Sequence, residues 1–270
     1  MNQSKISRPQ STSEAIAFED AASRDVLFSS VGSRIAAALA MLALTIVGYR
    51  AVGFGVEPGS AHTLRLAVDD RIPFWPWTIY LYSWVYTSML YPLFVVRCPR
   101  LFRRTVEVYG LTVAASLATW AVFPVTSIGL RPDIRHLDTS VMHNWGVALT
   151  YYLDPPYNLF PSLHLAAASL AMLVAWKARP LFGLCALAVL LGVAMSIFTM
   201  KQHYVLDGLA ALVVVAVVHR LRLASYRAER DADGPVAYTW RGPALYACFH
   251  GCVYLALYTA FLLGFRPWLS

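Results

Sequence analysis

The sequence predicts an all-α fold, a polytopic membrane bundle of about seven spanning helices, and three observations predict it. Of 270 residues, 58% are hydrophobic. Only 14% are charged, where soluble domains average about 25%. Apolar runs of near-membrane length then recur from Ile35 to Phe265. The mean hydropathy of +0.54 excludes a disordered chain and argues against an ordinary soluble enzyme.

The elements follow in order. Residues 1–34 are rich in Ser, Asp and Glu and read as a polar arm ahead of one membrane domain, 35–270. No basic stretch directly precedes a short apolar core there, so no cleavable signal peptide is expected and the first apolar run targets the chain. A helix needs about 20 apolar residues to cross a bilayer. The runs that qualify are 35–55, 75–96, 108–127, 160–177, 180–199, 204–221 and 243–265. The fourth and sixth carry polar residues at their N-terminal ends. No internal repeat or low-complexity tract is evident.

Basic residues set the expected orientation. Lys5, Arg8, Arg24 and Arg34 lie in the arm, and Arg97, Arg100, Arg103 and Arg104 follow the second run. Lys177 and Arg179 mark the turn near 178, and Arg220, Arg222, Arg227, Arg230 and Arg241 the loop before the last run. They outnumber Arg50, Arg65, Arg71, Arg131, Arg135, Lys201 and Arg266 on the opposite side. The N-terminus is therefore expected in the cytoplasm, and the loop 128–160 and turn 200–203 on the outer (periplasmic or lumenal) face. The net charge of +7 reflects these loops rather than nucleic-acid binding. Cys98, Cys185, Cys248 and Cys252 read as buried free thiols.

Three polar stretches fall on the outer side: Arg131-Pro132-Asp133-Ile134-Arg135, Tyr157 to His164, and Ser196 to Gly208. Ionisable residues at membrane segments are costly and point to function. His203 and Asp207 are four apart, so on a helix they share a face. The carboxylate can fix the imidazole tautomer and leave the other nitrogen as nucleophile or base. Pro161 can open a helix whose first turn carries Ser162 and His164, with amides free for an anion. Arg131 and Lys201 add cations suited to phosphate. No acidic cluster offers a divalent ion its oxygen cage, and Asp133 and Asp154 read as solvated or helix-capping. The set describes metal-free, cofactor-free phosphoryl transfer, one histidine attacking phosphorus and the other protonating the leaving oxygen. The competing reading is a polar knot that glues helices, but such contacts average below about 1 kcal/mol each. His62, His136, His143, His219 and His250 read as surface or satisfied histidines.

Phe160-Pro161-Ser162-Leu163-His164 resembles the P-S-x-H motif of the type 2 phosphatidic acid phosphatase superfamily. Ser196, His203 and Asp207 resemble its third motif, S-R-x5-H-x3-D. Tyr157-Asn158-Leu159-Phe160 and Lys201-Gln202-His203-Tyr204 look like the branch containing inositolphosphorylceramide synthases. The resemblance covers roughly 75–221. It implies a six-helix core with His203 as the nucleophile forming a phosphohistidine, Asp207 orienting it, His164 as general acid, and Ser162, Ser196 and Arg131 at the phosphate. Two family cations are missing, since the first motif's Lys falls on Pro124 and the third motif's Arg on Ile197. Lys201, or failing that Arg135, is expected to replace them.

The resemblance implies an enzyme acting on a membrane lipid phosphate. Water as acceptor makes it a phosphatase; an alcohol acceptor makes it a head-group phosphotransferase. A non-catalytic membrane protein that kept the fold is the second class, but it has no need of His164, His203 and Asp207 together. A vanadium-dependent haloperoxidase shares the motifs but is soluble and wants the full cation set.

Overall fold

The computed structural model describes residues 27–227 and 238–269, and its regular elements are helices. The expected arm lies outside the described residues up to 26. Among the described residues no strand forms. Isolated bridges join Val125 to His62 and to Asn158.

Helix α1, Val31–Gly55, begins earlier than the apolar run because the Ser30 hydroxyl caps it, accepting from the Ser33 amide at 3.1 Å. A short helix α2, Ala67–Arg71, follows. The second expected span, 75–96, is a broken series: a 3₁₀ turn at Pro76–Thr78, then α3 (Ile79–Tyr82), α4 (Val85–Ser88) and α5 (Tyr91–Val95). The hydroxyls of Thr78, Ser83, Thr87 and Ser88 each donate to the carbonyl three residues back. The amides of Trp84, Tyr86, Thr87 and Leu90 do likewise. Hydroxyl back-bonding and i−3 pairing tighten the turns, and Pro92 removes a donor.

Helix α6, Pro99–Val122, starts at a proline well before the apolar run. Its first turns hold charges that hydropathy rejects, with Arg103 paired to Glu107 at 2.9 Å. Helix α7, Met142–Leu153, occupies part of the expected outer loop. Helices α8 (Leu163–Ala178) and α9 (Pro180–Thr199) form the most extensively packed pair. Helix α10, Val205–Val218, continues into a π turn at His219–Leu223, and α11 spans Arg241–Leu262.

Helices α1, α6, α9 and α11 are long and apolar enough to cross a membrane, α11 together with the turn that follows it. Helix α8 is apolar but has 16 residues, and α10 has 14, so both fall short of the expected spans. The outward faces remain greasy, with Leu39, Val47, Val213, Val217, Leu255 and Leu262 exposed. These features fit a multi-pass membrane protein. Cys98 alone of the thiols is buried, because Cys185, Cys248 and Cys252 sit on exposed sides of α9 and α11. His250 is buried: its ring stacks on Trp84 at 3.7 Å and its Nδ1 meets the Thr87 hydroxyl at 3.0 Å.

The N-terminal ends of α8 and α10 lie together, under segments 123–131 and 154–162. The Val125 amide donates to Tyr157, the Ser127 amide to Pro156, and the Asn158 side chain to the Tyr49 carbonyl.

Two glycines test the packing. A Cβ on Gly183 would stand 2.7 Å from the Trp176 backbone, whereas one on Gly251 meets nothing within 4 Å. Gly183→Ala should therefore destabilise the chain by about 1–3 kcal/mol. Gly251→Ala, inside α11, should stabilise it by about 0.5–1 kcal/mol. Unfolding midpoints in one detergent should move in opposite directions; movement in the same direction would contradict this packing.

Candidate active site

The turn between α9 and α10 sets the site. The Ile197 carbonyl accepts from the amides of both Gln202 and His203, at 3.0 and 3.1 Å. Lys201 adopts φ 55°, the left-handed region that lets a chain reverse in few residues. Residues 200–203 are thus non-helical, as expected. His203 consequently lies before the helix rather than on it, and Tyr204 is the N-cap. Asp207 still reaches it, because the carboxylate at the third helical position bends back over the helix end. Its Oδ2 accepts from the Tyr204 amide at 2.8 Å and lies 3.3 Å from His203 Nδ1. Asp207 is 0% exposed and His203 4%.

Pro161 does not open α8. Ser162 is its N-cap, the hydroxyl accepting from the Leu165 amide at 3.4 Å. Serine's side chain competes for that position better than proline's ring, which carries no acceptor. The Ser162 amide donates to the Asp207 carbonyl at 3.1 Å, tying the heads of α8 and α10 together. His164 then stands in the first turn of α8, and its Nδ1 lies 3.0 Å from His203 Nε2. The two rings meet well inside the roughly 10 Å that flanking one phosphorus allows.

The cations are distributed differently from expectation. Lys201 does not reach the histidines; its ammonium donates to the carbonyls of Asp69, at 2.8 Å, and Ile72. The left-handed turn aims it at the α2 segment, where two carbonyls need a donor. Burial lowers its pKa, opposed by Asp69 and Asp70. Arg135 is exposed and closed on Asp133 at 2.6 Å, so it supplies nothing to the site. The bonds from Arg135 pull the Asp133 carboxyl down to about 2, against a smaller opposing effect of partial burial. Arg131 does arrive. Its Nη2 donates to the Gln202 side chain at 2.5 Å, its Nη1 to the Asp154 carbonyl at 3.1 Å, and its guanidinium lies over Tyr151. Ser196 points elsewhere, donating to the Val193 carbonyl at 2.8 Å. Ile197, in the place of the motif arginine, is wholly buried.

Three further residues complete the cluster. Tyr82 is 0% exposed. Its phenol oxygen is 3.1 Å from Asp154 Oδ2 and 3.4 Å from His164. Asp154, read from the sequence as solvated or helix-capping, is 7% exposed and stands at the C-cap of α7. Gln202 Nε2 and Arg131 Nε are buried donors without a partner among the described residues. Nothing in the spacing pointed to Tyr82, which comes from a distant segment; Gln202 sat within the quoted Lys201-Gln202-His203-Tyr204 run without a role. Burial and the Arg131 charge lower the pKa of the His203 imidazole, and burial raises that of its partner Asp207. Among the described residues no three His, Cys, Asp or Glu gather as a metal site.

The sequence model of the PAP2 superfamily matches residues 49–221, more than half the chain and the whole of this site. No curated protein and no solved structure matches the chain.

The cation placement makes a contrast measurable. Lys201→Gln loses two bonds to carbonyls and should cost about 1–3 kcal/mol of stability while changing turnover less than about twofold. Arg131→Gln also loses bonds, to the Gln202 side chain and the Asp154 carbonyl, and should cost a comparable amount of stability, but it should in addition lower kcat/KM by roughly tenfold or more, the equivalent of one charge-assisted contact. A large kinetic defect in the lysine variant at unchanged stability would return Lys201 to the site.

Proposed function

The chain belongs to the PAP2 superfamily, and on that premise we propose that it is an integral-membrane enzyme that breaks the phosphate ester of a lipid through a phosphohistidine on His203. Membership points to phosphatase or phosphotransferase chemistry. One observation carries the finer reading: His203 Nδ1 sits on Asp207 while its Nε2 faces His164 Nδ1 at 3.0 Å. A neutral imidazole has one N–H and one lone pair. With the N–H held by Asp207, the lone pair at Nε2 is the nucleophile.

The step balances on these atoms. His203 Nε2 forms a bond to phosphorus as the bond to the lipid's alkoxy oxygen breaks, and His164 delivers its Nδ1 proton to that oxygen. In the second step His164 takes a proton from water, whose oxygen attacks phosphorus as the N–P bond breaks. In-line displacement places attacking and leaving atoms on opposite sides of the phosphorus. The two nitrogens must then stand roughly 6 Å apart or more, so a bound phosphate parts the rings. Gln202 Nε2 and Arg131 Nε, both without partners among the described residues, suit the phosphate oxygens, and Ser162 heads the helix that presents His164. Asp207 is the positioning residue for the nucleophile. Neither Lys201 nor Ser196 has a part in this scheme.

The substrate class is a membrane lipid phosphate, and the excess of basic residues in the opposite loops supports placing the site at the outer face with the N-terminus inside. Hydrolysis is the leading reading. Head-group transfer to an alcohol, as in the inositolphosphorylceramide synthase-like branch, is favoured by one observation. Arg131 is the single cation the site retains from those expected, which suits a phosphodiester's one charge better than a monoester's near two.

Purified protein offered lipid phosphates and phosphodiesters, with and without alcohol acceptors, should release inorganic phosphate from the monoesters; product masses showing only transferred head groups would make it a transferase. Turnover should survive a chelator, and restoration by Mg²⁺ after its loss would sink the metal-free scheme. His203→Ala should abolish turnover on every ester. His164→Ala should lose about 10²–10⁴-fold on alkyl esters and much less on esters whose leaving group needs no proton. Equal losses on both ester types would refute this division of labour.

A further inference from the structure

The scheme leaves Asp154, a buried acid beside the histidines, unused. Asp154 ends α7 as its C-cap. A carboxylate is disfavoured at that end of a helix, where the unpaired carbonyls already carry partial negative charge. Its side chain is withdrawn from solvent, which costs more still unless something compensates. The Arg131 contact goes to the Asp154 backbone oxygen, so it does not neutralise the carboxylate by a hydrogen bond. Stability of α7 gives no reason for an acid here.

Among the described residues, the one side-chain hydrogen-bond partner of this carboxylate is the Tyr82 hydroxyl, itself wholly buried. A phenol has one proton to give and lone pairs to accept with. Donating to Asp154, it keeps its lone pairs to accept from an N–H. The nitrogens of His164 lie 3.4 Å from the same oxygen, and Nδ1 is already committed to His203 at 3.0 Å. Nε2 is therefore the nitrogen left for Tyr82.

We infer that Asp154, acting through Tyr82, is the countercharge and aligner for His164, so that the general acid can hold its second proton in a buried site. The inference rests on the phosphohistidine reading above. When His164 is an imidazolium, its Nε2–H donates to the phenol oxygen, the phenol O–H donates to the carboxylate, and Nδ1–H points at the leaving oxygen. No proton need move along the chain. The charges facing His164 require such help. His203 comes from the turn before α10 and carries no negative charge, Tyr49 of α1 offers an aromatic ring at 6.4 Å, and Arg131 acts on it as a cation. Asp207 spends its carboxylate on His203 and the α10 cap. Tyr82 and Asp154 are thus positioning residues.

The test compares Asp154→Asn and Tyr82→Phe in the full chain, on one alkyl phosphate lipid and one nitrophenyl phosphate. Asn keeps an acceptor oxygen for Tyr82 and removes only the charge, so a purely structural role would leave it silent. The expected result is a loss of roughly tenfold or more in kcat on the alkyl ester and under about twofold on the nitrophenyl ester. The basic limb of the alkyl-ester kcat profile should also move to lower pH by about one unit, and Asp154→Glu should recover part of both effects. Wild-type turnover of the alkyl ester by Asp154→Asn, or equal losses on both esters, overturns the inference. If Tyr82→Phe does not fold, the asparagine and glutamate variants decide alone. His203→Ala separates the two levels: activity in that variant defeats the phosphohistidine reading, whereas a dead His203→Ala beside an unimpaired Asp154→Asn defeats only the Asp154 role.

Discussion

Everything at the polar end of the bundle depends on Asp207. Its carboxylate caps α10 through the Tyr204 amide and holds His203, and its own carbonyl receives the Ser162 amide. One residue thereby fixes the start of two helices and the ring between them. In a membrane protein this is economical, since a buried carboxylate must find donors or pay its desolvation in full. A helix end supplies them, because its first amides lack partners within the helix. The cap that satisfies the backbone is also the device that orients the imidazole. Substituting Asp207 would therefore confuse a structural loss with a chemical one, and the histidines are the cleaner probes.

The sequence disclosed the members of this site better than its geometry. The spacing of His203 and Asp207 suggested two residues on one helical face, but the contact is made across a helix cap, with His203 outside the helix. Both arrangements bring positions four apart together, and spacing alone does not separate them. Ser162, His164 and Arg131 were found through local patterns and do converge. Lys201 was given a plausible task, since it stands two residues from His203, but a left-handed residue turns its side chain toward Asp69 and Ile72. Backbone handedness at one residue outweighed proximity in the chain. Tyr82 and Asp154 were invisible for a different reason. Their importance lies in burial and a long-range pairing, and neither leaves a local pattern.

The fold was legible to a similar depth. Helicity and membrane character follow from composition and run length, and the boundaries of α9 match the apolar run. The second run failed as a continuous helix because hydropathy counts Thr and Ser as mildly polar and takes no account of where their hydroxyls bond. Four of them bond back three residues and break the span into short pieces. That break has a use: it carries Tyr82 into the core at the level of His164, where the two rings meet edge to face at 5.4 Å.

The two histidines are backed by acids in different ways, and the difference suits their tasks. His203 touches Asp207 directly, lies in a turn fixed by two amides on the Ile197 carbonyl, and is almost wholly buried. His164 is less enclosed and reaches Asp154 only across a phenol. In the proposed scheme, phosphate binding requires the ring nitrogens to part from 3.0 Å to roughly 6 Å. A ring clamped from two sides is a poor candidate to move, whereas a side chain in the first turn of α8 can change rotamer without disturbing the cap that begins the helix. Under the proposed roles the nucleophile is then the fixed point and the acid the moving one. That order fits the chemistry, since the nucleophile must meet one phosphorus along one line, while the acid must follow an oxygen that departs.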